Sequence, residues 1–321
     1  MHRREFIASA AALAASAAMP AFADAYPERP LKLLVPFPPG GGTDTAARIV
    51  MKKLGEQLGQ PVVVENRPGA GGAVAYNELL RNKPDGYTLT IGSGNTSLMN
   101  LMNGNLSFNA ATDFMPVAPM AYVPIALITG KALPVSTMAE FVAYAKKNPG
   151  LRFGTPGPTT PNHLAGMLLG GAIGAELVHV GYKGTAPAVQ DVIGGHLPAA
   201  IVGLSTAIQF GKTGQVKVLG VGSAKRSELA PEIPTIAEGG VKGYDAGYWY
   251  DISVAKGTPQ VIVDRLHAEI TKAVRSPEVR QTLAASGFEP MTATQAEYRR
   301  LLQAEHAKWE PVVKTHNIRV D

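Results

Sequence analysis

Apolar positions follow two alternating periods along this chain. Short apolar runs such as Leu31 to Val35, Val62 to Val64 and Tyr87 to Ile91 read as strands. Each runs into a loop rich in glycine or proline, and a segment of helical period follows. Ala46, Val50, Leu54 and Leu58 recur every four residues and define one apolar helix face, which Gly59 and Pro61 end. A second helix follows Gly69-Ala70-Gly71-Gly72, and Pro84-Asp85-Gly86 makes a turn. Strand, glycine-rich loop and helix in alternation predict an open, largely parallel α/β sheet.

The rhythm repeats after the apolar run Tyr122 to Ile128. Thr137 and Glu140 have the spacing of a capping box for a helix through Lys147. Leu151 to Phe153 is a strand, the loop Gly154 to Pro161 follows, and the next helix carries His163. Strands are also predicted at Leu177 to Val180, Leu197 to Val202 and Val216 to Val221. The last part differs. Tyr248 to Val254 is extended, and Thr258-Pro259 offers an N-cap with proline at the first helical position, for a helix to Val274. Ser276-Pro277 starts another helix, closed by Gly287. Thr294 and Glu297 form a capping box for a last helix to about His316. A helical tail that packs back on the first half would make the chain cross twice between two lobes, which is a hinge. The predicted division is lobe 1 from 24–126 and 250–321, and lobe 2 from 127–249.

The N-terminus changes the picture of location. Arg3-Arg4 precedes an apolar stretch from Phe6 to Met19, and Ala21-Phe22-Ala23 is a small-x-small cleavage site. The stretch is too short to span a bilayer. Residues 1–23 therefore read as a signal peptide, with the mature protein beginning near Asp24. The arginine pair resembles a twin-arginine signal, although His2 precedes it. Cysteine is absent, so a lipoprotein anchor, disulfides, thiol nucleophiles and cysteine-held metals are excluded. The net charge of +5 is scattered as Lys52-Lys53, Lys146-Lys147, Lys225-Arg226 and Arg299-Arg300, without the basic stripe of a nucleic-acid binder.

The loop Pro39, Gly40, Gly41, Gly42, Thr43, Asp44 is the first candidate site. Consecutive backbone N–H groups at a helix start accept a carboxylate or phosphate without a lysine. It is neither Gly-x-Gly-x-x-Gly nor a P-loop, so nucleotide binding is poorly supported. Thr155, Gly157, Pro158 and Thr159 make the same offer from the second half, with His163 on the following helix. Ser93, Asn95 and Thr96 complete a cleft from one side, and Tyr182, Lys183 and Thr185 from the other. Each has a plainer reading: Asp44 as a helix-start cap, His163 as a structural histidine, Tyr182 as packing. No His-x-x-x-His, His-Glu-x-x-His or Gly-x-Ser-x-Gly occurs, so no metal set or catalytic triad is indicated. No cofactor is expected.

Several segments carry a family resemblance. Phe37 to Arg48 fits Phe-x-x-Gly-Gly-x-x-Asp-x-x-Ala-Arg when Gly40-Gly41 is the glycine pair. Pro61 to Gly72, Pro84 to Leu89, His163-Leu164-Ala165-Gly166, Val178 to Gly184, Ser223 to Ser227 and Pro234 to Glu238 add to it. Together they resemble the Bug family of periplasmic binding proteins, the receptors of tripartite tricarboxylate transporters, over residues 26–318. The resemblance implies an α/β two-lobed periplasmic binding protein of the Venus-flytrap, type II-like kind, with a central cleft and hinge. It implies a monomeric periplasmic receptor, not an enzyme, that takes a small organic carboxylate to the membrane permease subunits of such a transporter. It also nominates Phe37, Pro39 to Asp44, Ser93, Asn95, Thr155 to Thr159, His163 and Tyr182 as the ligand contacts. Gly181, Pro198 and Val202-Gly203 depart from the family pattern, which predicts a less polar second-lobe wall. An aromatic or hydroxylated carboxylate is therefore expected over an amino acid. The alternatives are an exported hydrolase of organic esters and a sensory receptor with no transport role.

Overall fold

A computed structural model describes residues 26–93 and 96–319. The signal segment 1–23 and Asn95 lie outside them. Ten strands join in the order β2-β1-β3-β9-β4-β7-β5-β6, with β8 and β10 also paired to β4. In the first half these are β1 (Leu31–Val35), β2 (Val62–Asn66), β3 (Thr88–Ser93) and β4 (Phe114–Thr129). The second half has β5 (Leu151–Thr155), β6 (Leu177–Gly181), β7 (Ala199–Gly203) and β8 (Lys217–Val221). β9 (Gly247–Ala255) and the short β10 (Glu289–Pro290) complete the set.

The apolar run of β1 is explained by helices on both faces. Leu31, Leu33 and Val35 pack with Ala46, Val50 and Leu54 of α1 (Gly42–Leu58). Leu34 points the other way, among Tyr76 and Leu79 of α2 (Ala73–Arg81). A strand buried on both faces has no polar alternation to show. Gly59 ends α1 at φ 69°, in the left-handed region that glycine adopts without cost.

The sheet is mixed. β1 runs parallel to β2 and β3, and β5 parallel to β6 and β7. Every other ladder is antiparallel and involves β4 or β9. β4 is far longer than the predicted run from Tyr122. Its first part pairs with β9 and its end, from Ile125, pairs with β7. Pro116 and Pro119 hide that first part in the sequence, because proline breaks a ladder. The register shifts between Pro116 and Ala118, and again between Pro119 and Ala121.

In the second half, α4 (Met138–Lys147), α5 (Pro161–Ile173), α6 (Thr185–Ile193) and α7 (Leu204–Lys212) cover the sheet. A four-residue helix, α3 (Met99–Met102), precedes β4. α8 (Gln260–Arg275), α9 (Pro277–Ala285) and α10 (Gln295–Thr315) close the chain. Both predicted capping boxes form: Glu140 N–H donates to Thr137 and Glu297 N–H to Thr294, at 3.2 Å each. At α8 the cap is Pro259 itself, and the Thr258 hydroxyl donates back to Ala255 O at 2.8 Å. The sequence assigns 250–321 to the first lobe. In the structure Trp309, Val312, Val313 and Ile318 pack in one cluster with Phe153, Leu164 and Ile201, so α10 reaches the second core.

Candidate functional site

A cavity of about 140 Å³ lies where the carboxyl ends of parallel strands from both halves meet. This is where open α/β sheets bind ligands. Pro36 and Phe37 enter it after β1, Ala70 and Gly71 after β2, and Ser93 and Thr96 after β3. From the other half come Pro158, Thr159, Thr160 and Pro161, between β5 and α5. Tyr76, Met99, Met102 and Asn103 complete the wall.

Two lining residues hold a conformation that L-residues avoid. Ala70 has φ 47° and Thr159 has φ 57°. Among the described residues only Asn317 is otherwise positive without being glycine. Such backbone costs about 1–3 kcal/mol per residue and clusters at binding sites. Here the two strained residues lie one in each half, on the walls of one cavity. Each also precedes a helix start, α2 after Gly72 and α5 after Thr160. A helix start carries roughly half a unit of positive charge and unpaired N–H donors.

The second-half loop is held by a chain of hydrogen bonds. Thr155 Oγ1 and Thr160 Oγ1 both donate to Gly157 O, at 2.9 and 2.8 Å. Thr160 also caps α5, accepting from His163 N at 3.3 Å. Thr159 N–H donates to His163 Nδ1 at 3.3 Å, so that nitrogen carries no proton. The His163 ring stacks on His179 at 3.6 Å, and His179 Nε2 lies 2.6 Å from Thr155 Oγ1. Burial lowers His163 to about 3, with His179 and His316 adding to the effect, and burial alone lowers His179 to about 4. Both are neutral at any ordinary pH. Tyr182 stands behind the loop. Its N–H donates to Thr155 O at 3.1 Å and its hydroxyl to Asp191 at 2.6 Å. Burial, then the Asp191 carboxylate, pushes that hydroxyl up to about 12.

The first-half loop is held by Asp44. Its carboxylate accepts from Gly40 N and Asn66 Nδ2 at 3.0 Å and from Arg48 Nε at 3.1 Å. Burial acts to raise its pKa, but the bonds from Arg48, Gly40 and Asn66 outweigh it and hold the carboxyl below its usual range. Asn66 Nδ2 also donates to Phe37 O at 3.0 Å, which ties the aromatic residue to this clamp. Gly40 at φ 84° aims its N–H at Asp44. At Gly42 a Cβ would come within 2.8 Å of the Tyr250 hydroxyl, so that glycine lets α1 pack close.

Of the residues singled out in the sequence, Phe37, Ser93, Thr96, Pro158, Thr159 and Thr160 line the cavity. Thr155, Gly157, His163 and Tyr182 stand behind the second-half loop. Pro39, Gly40 and Gly41 form a turn, and Gly42, Thr43 and Asp44 open α1; all lie outside the cavity wall. Asn95 lies outside the described residues. Sequence reasoning missed Ala70, Gly71, Tyr76, Met99, Met102 and Asn103. The run Gly69 to Gly72 was a visible signal for the first two. Met99 and Met102 read as core, and nothing local marks them otherwise. Thr96 organises this wall: it accepts from Ser93 N at 3.1 Å, donates to Ser93 O at 2.7 Å, and lies 3.2 Å from the Tyr76 hydroxyl.

Comparison with known proteins agrees with this geometry. The family model described as "Tripartite tricarboxylate transporter family receptor" matches residues 46–318. BugT of Bordetella pertussis (strain Tohama I) is 34% identical over 304 residues, 94% of this chain and 93% of its own. The periplasmic binding protein BugD has a TM-score of 0.78 at 31% identity, covering 92% of this chain and 99% of its own. An R. palustris protein solved with adipate has a TM-score of 0.81 at 34% identity, with 92% and 99% covered. MatC from Rhodopseudomonas palustris, solved with bound malate, has a TM-score of 0.77 at 29% identity, with 90% and 100% covered. With one cavity wall built from each half of the sheet, and relatives matched over nearly its whole length, this chain belongs to the tripartite tricarboxylate transporter receptor family and has the two-lobed fold of its periplasmic binding proteins.

Proposed function

We propose that the protein is a periplasmic receptor that captures a small organic carboxylate and presents it to the permease of a tripartite tricarboxylate-type transporter. The observation that carries this is the cavity. Two helix starts and two strained residues, Ala70 and Thr159, bound it from opposite halves. Adipate and malate in related structures support the carboxylate class. The carboxylate bridges the loops after β2 and β5. Phe37, Ser93, Pro158 and Thr159 contact the ligand, while Asp44, Thr155, Gly157, His163 and Tyr182 hold the loops that do so.

Residues 24–126 and 250–321 form one lobe and 127–249 the other, with α10 bridging both. β4 and β9 carry the chain between them. Ligand that touches both lobes shifts the population toward a closed form, which a permease recognises. The protein acts as a monomer and turns nothing over: among the described residues the cavity wall holds no histidine, aspartate or glutamate to serve Ser93 as a base. Among the described residues no helix is long and apolar enough to cross a membrane, and the signal in residues 1–23 supports release into the periplasm.

Native mass spectrometry of the purified protein tests this reading. A bound organic acid released on denaturation is expected, with no product formed from it on incubation. Turnover of an ester panel, or binding of a cationic solute alone, would overturn it.

A further inference from the structure

A second cavity, of about 370 Å³, adjoins the first and shares Tyr76 and Thr96 with it. Its volume is that of an ordinary small-molecule pocket. One side is the sheet, with Phe114 of β4 and Asp251 and Ser253 of β9. The other side is α10, where Leu302, His306 and Glu310 recur every four residues and so share a face.

Asp251 is 4% exposed and lines this cavity. Its partner across the ladder is Gly92, where a Cβ would come within 2.9 Å of Asp251 Oδ1, so the glycine makes room for the carboxyl. Ser253 Oγ donates to Oδ2 at 3.3 Å. Oδ1 accepts no hydrogen bond, and the Tyr298 hydroxyl, near enough to feel its charge, is also left without one. Among the described residues no lysine or arginine lines the cavity. Its second carboxylate, Glu310, is already taken by Lys314 at 2.8 Å and His306 at 3.7 Å. Burial pushes the Asp251 carboxyl up to about 6, and Tyr298 and Ser253 offset only part of that. At neutral pH it is mostly a buried anion without a counter-ion, which is costly unless a cation is supplied.

A ligand ammonium supplies it, donating a charge-assisted hydrogen bond to Oδ1. Tyr76 and Phe114, with ring centroids 5.1 Å apart, and Leu302 offer surface to an apolar body, and aromatic rings attract an ammonium besides. We infer that this cavity is a second binding site, for a small primary amine with a compact apolar body, held by Asp251 and entered past Ala307, which is exposed on α10. The site stands apart from the receptor reading, because it needs no carboxylate in the first cavity.

Calorimetry on the mature protein at neutral pH tests this with benzylamine, phenethylamine and cyclohexylamine, each against its uncharged alcohol. At least one amine is expected to bind at least tenfold more tightly than its alcohol. Asp251→Asn keeps the size of the side chain and is expected to abolish that preference. Ala307→Trp changes an exposed position, so folding is retained, and by filling the mouth it is expected to weaken the amine at least tenfold. If no amine is preferred over its alcohol, the carboxyl simply holds a proton and the site is overturned. A preference that survives in Asp251→Asn, or an amine affinity unchanged in Ala307→Trp with both variants folded by circular dichroism, would overturn it as well. None of these outcomes bears on carboxylate capture, which the bound organic acid decides.

Discussion

Thr159 is a β-branched residue in the left-handed region, and that is where its function and its cost separate. Glycine there removes the strain and the hydroxyl together. Thr159→Gly is expected to be as stable as the parent or up to about 1 kcal/mol more stable, while ligand affinity falls at least tenfold. Thr159→Ala keeps the strain and loses the hydroxyl, so it is expected to lose affinity with no gain in stability. Denaturant melts and calorimetry on both variants separate the two effects. The stacked histidines predict a pH dependence. Their folded pKa values, about 3 and about 4, lie below the ordinary value of 6.5. The unfolded chain therefore takes up protons that the folded one refuses. Their contribution is complete above about pH 6.5 and is lost as pH falls toward 4. Asp251 opposes this: burial raises its carboxyl to about 6, so its contribution is present below the ordinary carboxylate value and is lost as pH rises through 6. Urea midpoints are expected to fall from pH 7 to pH 4.5, and more steeply in Asp251→Asn. A flat profile in that variant would remove the histidines from the account. Neither behaviour was legible in the sequence. His163 could be read as a structural histidine, but its stacking partner His179 is sixteen residues away on another element.

Elements were more legible than residues, because caps and periods are local. Thr137→Ala removes a formed capping box far from the cavity. It is expected to cost about 1 kcal/mol and to leave binding unchanged, as melts and calorimetry would register. Gly72 gives the opposite result. It has φ 101°, and a Cβ would meet Pro36 at 3.1 Å. Gly72→Ala is expected to cost about 1–2 kcal/mol and to cut affinity at least tenfold, because the loop that carries Ala70 and Gly71 must move away from Pro36. The elements that sequence reading missed are those whose local signals conflict with their place. β4 carries three prolines and was seen only from Tyr122, since its bulges and its pairing with β9 are long-range facts. At α8 the pattern Thr258-Pro259 was read one residue early, because the Thr258 hydroxyl found Ala255 O instead of a helix N–H.

At the scale of the molecule, a ligand that touches both lobes ties closure to stability. Saturation at one hundred times the dissociation constant is expected to stabilise the folded state by about 2.7 kcal/mol, with a decrease in the radius of gyration by solution X-ray scattering. A melting shift without compaction would mean that the cavity binds without closing. By itself the sequence determined most strands and helices in their order, but not α3, α7, β10 or the first part of β4; it also determined both capping boxes, the glycine turns and the family, because each rests on residues near one another along the chain. It also pointed to loops after strands as the place of the site. Only the tertiary structure decided which loops face each other. Gly40 to Asp44 has the same anion-binding look as Gly69 to Gly72, yet Asp44 accepts the Gly40 N–H for itself and the Asn66 side chain besides. The second loop remains at the cavity, opposite Thr159. Met99 and Met102 became part of that wall for the same reason: helical spacing says that a side chain is apolar and turned inward, and the packing of two lobes says what it is turned toward.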